Sequence, residues 1–88
     1  MAIEEVLSSK GRVRILRILA NIGELNISEI ARRAGLNYTT TKEHLMALER
    51  SGLILHKRFG RIRIFRFNET NPRAEMVRKL VDLWEQTK

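Results

Sequence analysis

The stretch from residue 26 to residue 50, NISEIARRAGLNYTTTKEHLMALER, decides the fold of this chain. Asn26 and Glu29 have the spacing of a capping box, in which the asparagine caps the first amides of a helix and the glutamate reaches back. We expect this short helix to end at Gly35, and Asn37 to cap a second helix that continues to the end of the stretch. Two short helices joined by a tight glycine turn form a helix-turn-helix, whose second helix can enter the major groove of DNA.

Apolar residues upstream of this motif recur at helical spacing and predict a helix over Ser9–Ala20. This helix should end at Asn21-Ile22-Gly23, where the glycine suits the left-handed closing conformation. A weaker helical stretch, Ile3–Leu7, precedes it. Together with the helix-turn-helix, these segments predict a small helical bundle.

Downstream of the motif the periodicity changes from helical to extended. Leu53–Phe59 and Arg61–Phe67 are rich in β-branched and aromatic residues, and Gly60 between them predicts a β-hairpin. The alternation slips in the second strand, because its isoleucines and its phenylalanines fall on opposite faces. We therefore expect a bulge, a twist, or burial of the strand end on both faces.

A last helix should begin at Asn71-Pro72, with the asparagine as cap and the proline in the first turn. The predicted fold class is mainly α with a small β-hairpin: a three-helix bundle plus a two-stranded wing, with an additional C-terminal helix. The predicted division is residues 1–69 for the winged helix-turn-helix and residues 70–88 for the C-terminal helix.

Three segments carry a family resemblance: Lys10–Leu19, Ile27–Ala31 and Leu48–Ile54. Their order and spacing resemble those of the winged helix-turn-helix regulators of the ArsR and MarR kind, over roughly residues 6–68. The resemblance implies a DNA-binding fold, a recognition helix over Tyr38–Arg50, a wing with its tip at Arg58–Arg63, and dimerisation through terminal helices. It also points to a prokaryotic, archaeal-type source.

Charge supports a polyanionic partner. Seventeen Lys and Arg against ten Asp and Glu give a formal net charge of +7, and such an excess on a small domain attracts nucleic acid. The alternative is a basic surface that only keeps the protein soluble. The N-terminus lacks the pattern of a signal peptide, and no apolar run approaches the roughly 20 residues of a membrane span. We therefore expect a soluble, cytoplasmic protein with no membrane partner.

The residue types present also exclude several kinds of site. The chain has no cysteine, which excludes disulfides, thiolate metal sites and a cysteine nucleophile. In the family that this sequence resembles, the metal sensors mostly use cysteine-containing clusters. Here only His44 and His56 could serve as ligands of that kind, and structural zinc takes four ligands. No nucleophile–base pair, carboxylate dyad or glycine-rich phosphate loop is visible. We expect no metal, no cofactor and no enzymatic activity.

The recognition helix should bury one face and present the other. Thr41, Leu45 and Leu48 lie at core spacing. The DNA-binding candidates on and around the opposite face are Asn37, Tyr38, Thr39, Thr40, Lys42, Glu43 and Met46. Hydroxyls, amides and Lys42 can reach phosphates or base edges, and Glu43 can accept from cytosine. The alternative is that the asparagine and threonines only cap and start the helix.

The hairpin supplies the strongest charge signal. Arg58, Arg61 and Arg63 are the candidates for contact with the adjacent phosphates or a narrow minor groove. The alternative is a solvated sheet edge that uses charge against aggregation. Arg32 and Arg33 precede the turn, so one of them is expected to contact phosphate, with an ordinary exposed ion pair as the alternative.

The last helix has an apolar face too wide for packing on so small a bundle. Its candidate dimer-interface residues are Met76, Val77, Leu80, Leu83 and Trp84. Ile3, Val6 and Leu7 could assist a two-fold dimer. The alternative is that Trp84 closes its own core.

These observations predict a homodimeric regulator of transcription that binds double-stranded DNA, with the recognition helix in the major groove and the wing on the backbone or minor groove. An architectural, nucleoid-type protein with little sequence preference is the alternative. A winged helix for protein or RNA contacts is a third class, which the basic wing disfavours. No small-molecule ligand is evident.

Overall fold

Five α-helices and three β-strands make up residues 1–87, the part of the chain that this computed structural model describes. The elements in chain order are α1 Ile3–Leu7, α2 Lys10–Ile22, β1 Leu25–Asn26, α3 Ile27–Ala34, α4 Tyr38–Arg50, β2 Ile54–Phe59, β3 Ile62–Phe67 and α5 Pro72–Gln86. The predicted fold class is confirmed, with a winged helix-turn-helix and an additional C-terminal helix. Lys88, the end of the predicted segment 70–88, lies outside the described residues.

The helix-turn-helix begins as its capping residues predict. The Asn26 side chain accepts a hydrogen bond from the Glu29 amide at 2.8 Å, and Gly35 closes α3 in the left-handed conformation, with φ of 69°. The second half of the expected capping box is wrong. The Glu29 carboxylate contacts Arg32 and Arg33 one turn further along α3 instead of reaching back to Asn26.

The wing hairpin, β2 and β3, forms as predicted, and a third strand that was not predicted extends its sheet, in the order β1-β3-β2. The missed strand is two residues long and pairs antiparallel with β3, Leu25 opposite Phe65. Pairing between β2 and β3 is uninterrupted from Ile54 opposite Phe67 to Phe59 opposite Ile62. The bulge, one of the three alternatives expected from the slipped alternation, is therefore absent from these pairs.

The core lies between the bundle and the inner face of the wing. Thr41, Leu45 and Leu48 of α4 are each fully buried, as their spacing predicted. The Thr41 hydroxyl donates to the Asn37 carbonyl at 2.8 Å, so the buried polar group has a partner. With one face of α4 held in this way, its opposite face is left to the surface.

The C-terminal helix packs on α2 and on the wing. Ala74 is fully buried, and Val77 is half-buried against the core. Asn71 caps α5 by accepting from the Arg73 amide at 2.9 Å, and its amide nitrogen donates to the Gly52 carbonyl at 2.9 Å. No helix within residues 1–87 has the length and apolarity needed to cross a membrane.

Candidate nucleic-acid interface

The N-terminal half of α4 presents exposed side chains at the surface. Asn37 caps the helix, because its side-chain oxygen accepts from the Thr40 amide at 2.7 Å. Tyr38 and Thr39 are exposed in the first turn. The amides of a helix N-terminus and the helix dipole favour an anion at this end.

The remaining candidates on α4 divide into two groups. Lys42 and Glu43 are exposed, whereas Thr40 and Met46 are half-buried. The Met46 sulfur lies 4.0 Å from a terminal nitrogen of Arg63, so this side chain joins the recognition helix to the wing.

The wing carries cations without acidic partners. Lys57, Arg58 and Arg61 are exposed and Arg63 is half-buried. None of the acidic side chains within residues 1–87 forms an ion pair with any of these four. Arg66, further from the tip, pairs with Glu24 at 3.5 Å.

Two of the wing arginines oppose each other across the hairpin. Arg58 of β2 is the direct partner of Arg63 of β3. Like charges directly opposite in an antiparallel pair are destabilising. A polyanion close to both side chains would remove this repulsion.

Arg32 and Arg33 lie apart from the wing cations. Both contact the Glu29 carboxylate, with Arg33 at 3.1 Å, and both border a separate cleft with Arg14 and Arg17 of α2. The hydrogen bond from Arg32 lowers the pKa of Glu29 below its ordinary value. These two arginines therefore already have an acidic partner on their own helix.

A polar cleft of about 320 Å³ separates the wing from the N-terminal ends of α3 and α4. It brings together candidates from distant parts of the sequence, since its lining residues are Asn26, Ile27, Ser28, Tyr38, Arg61, Ile62 and Arg63. Ser28 was missed by sequence reasoning. It is exposed in the first turn of α3, and the Asn26 cap, which placed it at a helix start, was the signal that could have found it.

The two histidines occupy structural positions. The Nδ1 atom of His56 lies 2.6 Å from the Glu49 carboxylate. His44 is half-buried beside α2, and burial lowers its pKa, with Arg12 acting in the same direction. No three His, Asp or Glu side chains among residues 1–87 lie close enough to hold a metal ion.

The apolar face of α5 is largely uncovered in the single chain. Met76 is 62 % exposed, Leu80 50 %, Leu83 60 % and Trp84 73 %. Trp84 therefore does not close the core of its own chain.

The family model for bacterial regulatory proteins of the arsR family matches residues 9–55, more than half of the chain. The chain belongs to the ArsR family. The match covers α2 through the start of β2, which includes the whole helix-turn-helix. The predicted resemblance is confirmed, and this ArsR-family chain is a winged helix-turn-helix DNA-binding transcriptional regulator.

Solved structures agree with this membership. The homodimeric winged helix-turn-helix DNA-binding domain of Mb0332 from Mycobacterium bovis, a possible ArsR-family transcriptional regulator, is 31 % identical, with a TM-score of 0.74 over 94 % of this chain and 71 % of that one. The transcriptional repressor BigR from Xylella fastidiosa is 25 % identical, with a TM-score of 0.79 over 96 % and 82 %.

A structure of lower sequence identity shares the fold alone. NadR, solved in complex with 4-hydroxyphenylacetate, is 19 % identical, with a TM-score of 0.75 over 91 % of this chain and 57 % of that one. No curated protein matched the sequence.

Proposed function

We propose that the chain acts as a homodimeric, sequence-specific regulator that places α4 in the major groove and its wing on the adjacent backbone or minor groove. The observation that carries this proposal is a group of wing cations that form no ion pair within residues 1–87, next to the exposed N-terminal half of α4. These cations are Lys57, Arg58, Arg61 and Arg63. A surface of this kind is suited to phosphates on one side and base edges on the other.

The division of labour on α4 follows from the contacts of each side chain. Asn37 uses its side-chain oxygen as the helix cap, so it positions the helix and offers its amide nitrogen to phosphate. Thr39, Lys42 and Glu43 are exposed and reach base edges, where lysine binds guanine and glutamate accepts from cytosine. This mixture of charge and polarity favours reading of sequence over uniform binding.

The wing supplies affinity. Arg58 and Arg61 are exposed near the hairpin tip, and Arg63 borders the cleft that Tyr38 also lines. Phosphates of one DNA backbone passing this cleft would pair with Arg61 and Arg63 of the wing and accept a hydrogen bond from the Tyr38 hydroxyl of α4. Arg32 and Arg33 have a secondary role, because Glu29 must release one of them before it binds phosphate.

In the proposed dimer, the second copy of the chain packs against α5 and α1. A largely apolar groove of about 410 Å³ runs between α2 and α5, and Leu7, Leu80 and Trp84 are among its lining residues. Ile3 and Leu7 of α1 are also 67 % and 51 % exposed. Contiguous apolar surface of this kind marks an interface, and the homodimeric state of Mb0332 supports a two-fold pairing. In this proposal residues 70–88 form the main dimerisation element, and residues 1–69 form the DNA-binding unit, whose α1 assists the pairing.

Leu80→Glu tests the dimer by placing a charge in the groove. The wild type is expected to sediment as a dimer at micromolar concentration and the variant as a monomer, measured by analytical ultracentrifugation. Gln86→Glu, which adds the same charge at an exposed position on the same helix, is the control and should stay dimeric. A monomeric wild type would contradict the assignment of α5.

The proposal includes no catalytic step and no small-molecule effector. NadR was solved with a bound aromatic acid, so a thermal-shift measurement with 4-hydroxyphenylacetate checks the second point, with no shift expected. A regulator of this kind works where the chromosome is, which places the chain in the cytoplasm.

A binding selection from random duplex DNA tests the function itself. The expected result is a roughly palindromic motif with half-sites one helical turn apart, about 34–36 Å. The matched variant, Arg58→Ala with Arg61→Ala, should retain far less DNA at the same salt. Strong retention without a motif would favour an architectural protein, and no retention at low salt would contradict DNA binding.

A further inference from the structure

The tip of the wing is apolar at its centre. Phe59 ends β2 and Ile62 begins β3, and the two residues are direct partners across the turn formed by Gly60 and Arg61. Phe59 is 62 % exposed and Ile62 51 % exposed. Both lie at the far end of the hairpin from the buried pair of Ile54 and Phe67, so the core of this chain does not cover them.

Cations lie beside this apolar pair in the chain. Arg61 is in the turn between the two residues. Arg58 and Arg63, the next opposed pair of the hairpin, project from its opposite face, because successive side chains of a strand alternate. No acidic side chain within residues 1–87 pairs with these arginines. The tip therefore combines an exposed apolar pair on one face with cations in the turn and on the opposite face.

We propose that Phe59 and Ile62 form a wedge that enters the minor groove, presses against or between neighbouring base pairs, and bends the duplex. This inference rests on the proposed function, since it needs the same DNA on the surface of α4 and the wing. It adds a role that the arginines alone do not supply. Apolar side chains inserted between base steps unstack them and kink DNA toward the major groove.

Charge favours DNA as the occupant. The cations of the tip match the phosphates that border the minor groove, and the two apolar side chains, not the whole hairpin, are the part that enters it. Ile62 also lines the cleft that contains Tyr38 and Arg63, so the wedge is continuous with the proposed interface.

The experiment compares the wild type with the double variant Phe59→Ala/Ile62→Ala on a mixed-sequence duplex of about 30 base pairs, long enough for two half-sites. The duplex contains several TA steps, which unstack most easily, and carries a fluorophore at each end. Energy transfer between the ends reports bending, and permanganate oxidation reports unstacked thymines. Phe59→Leu/Ile62→Leu is the matched control, because it keeps apolar side chains at the tip.

The wild type and the leucine control are expected to bend the duplex by at least about 20° and to create permanganate-sensitive thymines. The alanine variant should lose both signals and bind roughly tenfold more weakly. Its plot of affinity against salt should keep the wild-type slope, because no cation has been removed. A thermal melt checks that each variant is folded.

Three outcomes would overturn the wedge. Equal bending and thymine reactivity in the wild type and the folded alanine variant would show that the tip does not insert. Binding of the wild type, but not the alanine variant, to vesicles of phosphatidylcholine and phosphatidylserine, with unchanged DNA bending, would assign the tip to a membrane surface. Failure of the wild type to bind any duplex would remove the proposed function together with the wedge.

Discussion

The Nδ1 atom of His56 lies 2.6 Å from Oε2 of Glu49, and this contact joins the wing to the last turn of the recognition helix. The His56 ring also packs against Phe65, with 5.1 Å between ring centroids. Met46 and Arg63 make a second contact between α4 and the wing. These two contacts, at different points along α4, hold the wing against the recognition helix.

Loss of the Glu49 carboxylate should loosen this junction. Glu49→Ala is expected to lower the free energy of unfolding by about 0.5–1.5 kcal/mol, because a half-buried hydrogen bond is lost, and to speed amide exchange in β2 and β3. Urea unfolding and hydrogen exchange measure the two effects. The control is Glu69→Ala, at an exposed position with no ion pair among the described residues. It should change neither the free energy of unfolding nor the amide exchange of β2 and β3. Equal behaviour of the two variants would contradict a structural role for the contact between Glu49 and His56.

Removing one of the two opposed arginines of the wing should affect protein stability and DNA affinity in opposite directions. Arg58→Ala removes one member of the like-charged pair with Arg63, so the free protein should be unchanged or more stable by up to about 0.5 kcal/mol. DNA affinity should fall, and the slope of log affinity against log salt should decrease by about 1.8, since a dimer loses two phosphate contacts. Titrations at several salt concentrations measure this slope.

Arg78→Ala is the control for this prediction. Arg78 binds Glu75 and Asp82 on α5 at 2.7 and 3.2 Å, and the hydrogen bond to Glu75 raises its pKa further. Its removal should leave the salt slope unchanged. The same loss of slope in both variants would indicate a general effect of net charge and not a contact by the wing.

The parts of the fold that sequence could predict are those with local causes. Asn26 and Asn37 cap the two helices of the motif at the predicted positions, because a cap depends on amides only two or three residues away. The buried face of α4 followed from helical spacing. Strand β1 was missed because it is two residues long and its partner, Phe65 opposite Leu25, lies 40 residues further along the chain.

The charged residues of the candidate site could be predicted from the sequence, but several of the contacts between them could not. The pattern of Asn26 and Glu29 fits a capping box, but Arg32 and Arg33 stand three and four residues beyond Glu29 and take its carboxylate. Capping-box patterns do not include such competitors. The contact between Met46 and Arg63 depends on how the hairpin folds back over α4, which no local spacing encodes.

Gly52, just after the recognition helix, contacts the residue that caps α5. Its φ is 84°, and a Cβ at this position would lie 2.7 Å from the Asn71 side-chain nitrogen, which donates to the Gly52 carbonyl. Gly52→Ala should therefore lower the free energy of unfolding by about 2 kcal/mol or more, since backbone strain and a displaced cap add. Gly35→Ala also adds a Cβ at positive φ, but nothing lies within 4 Å of it, so only the strain of about 1 kcal/mol is expected. If urea unfolding gave equal losses of free energy for the two variants, the contact with Asn71 would contribute nothing to the cost of Gly52→Ala.

His44 should make folding sensitive to pH. Burial lowers the pKa of His44 below its ordinary value of 6.5, Arg12 acts in the same direction, and Glu43 opposes them. The unfolded chain therefore binds more protons than the folded chain between the two pKa values, so stability falls as the pH decreases through that window. The slope should be well under the one-proton limit of about 1.4 kcal/mol per pH unit, because the half-buried ring retains contact with water.

Comparison with His44→Gln isolates this effect, because the two proteins differ only at this side chain. Between about pH 7.5 and about pH 5.5, above the range in which carboxylates titrate, the wild type should lose more stability in urea unfolding than the variant. Glu29 and Glu75 have lowered pKa values through their arginine partners, so their contribution is lost only at more acidic pH. Parallel curves for the two proteins across the window would mean that the His44 ring is protonated as easily in the folded chain as in water, and that its packing beside Gly11 of α2 does not exclude the charge.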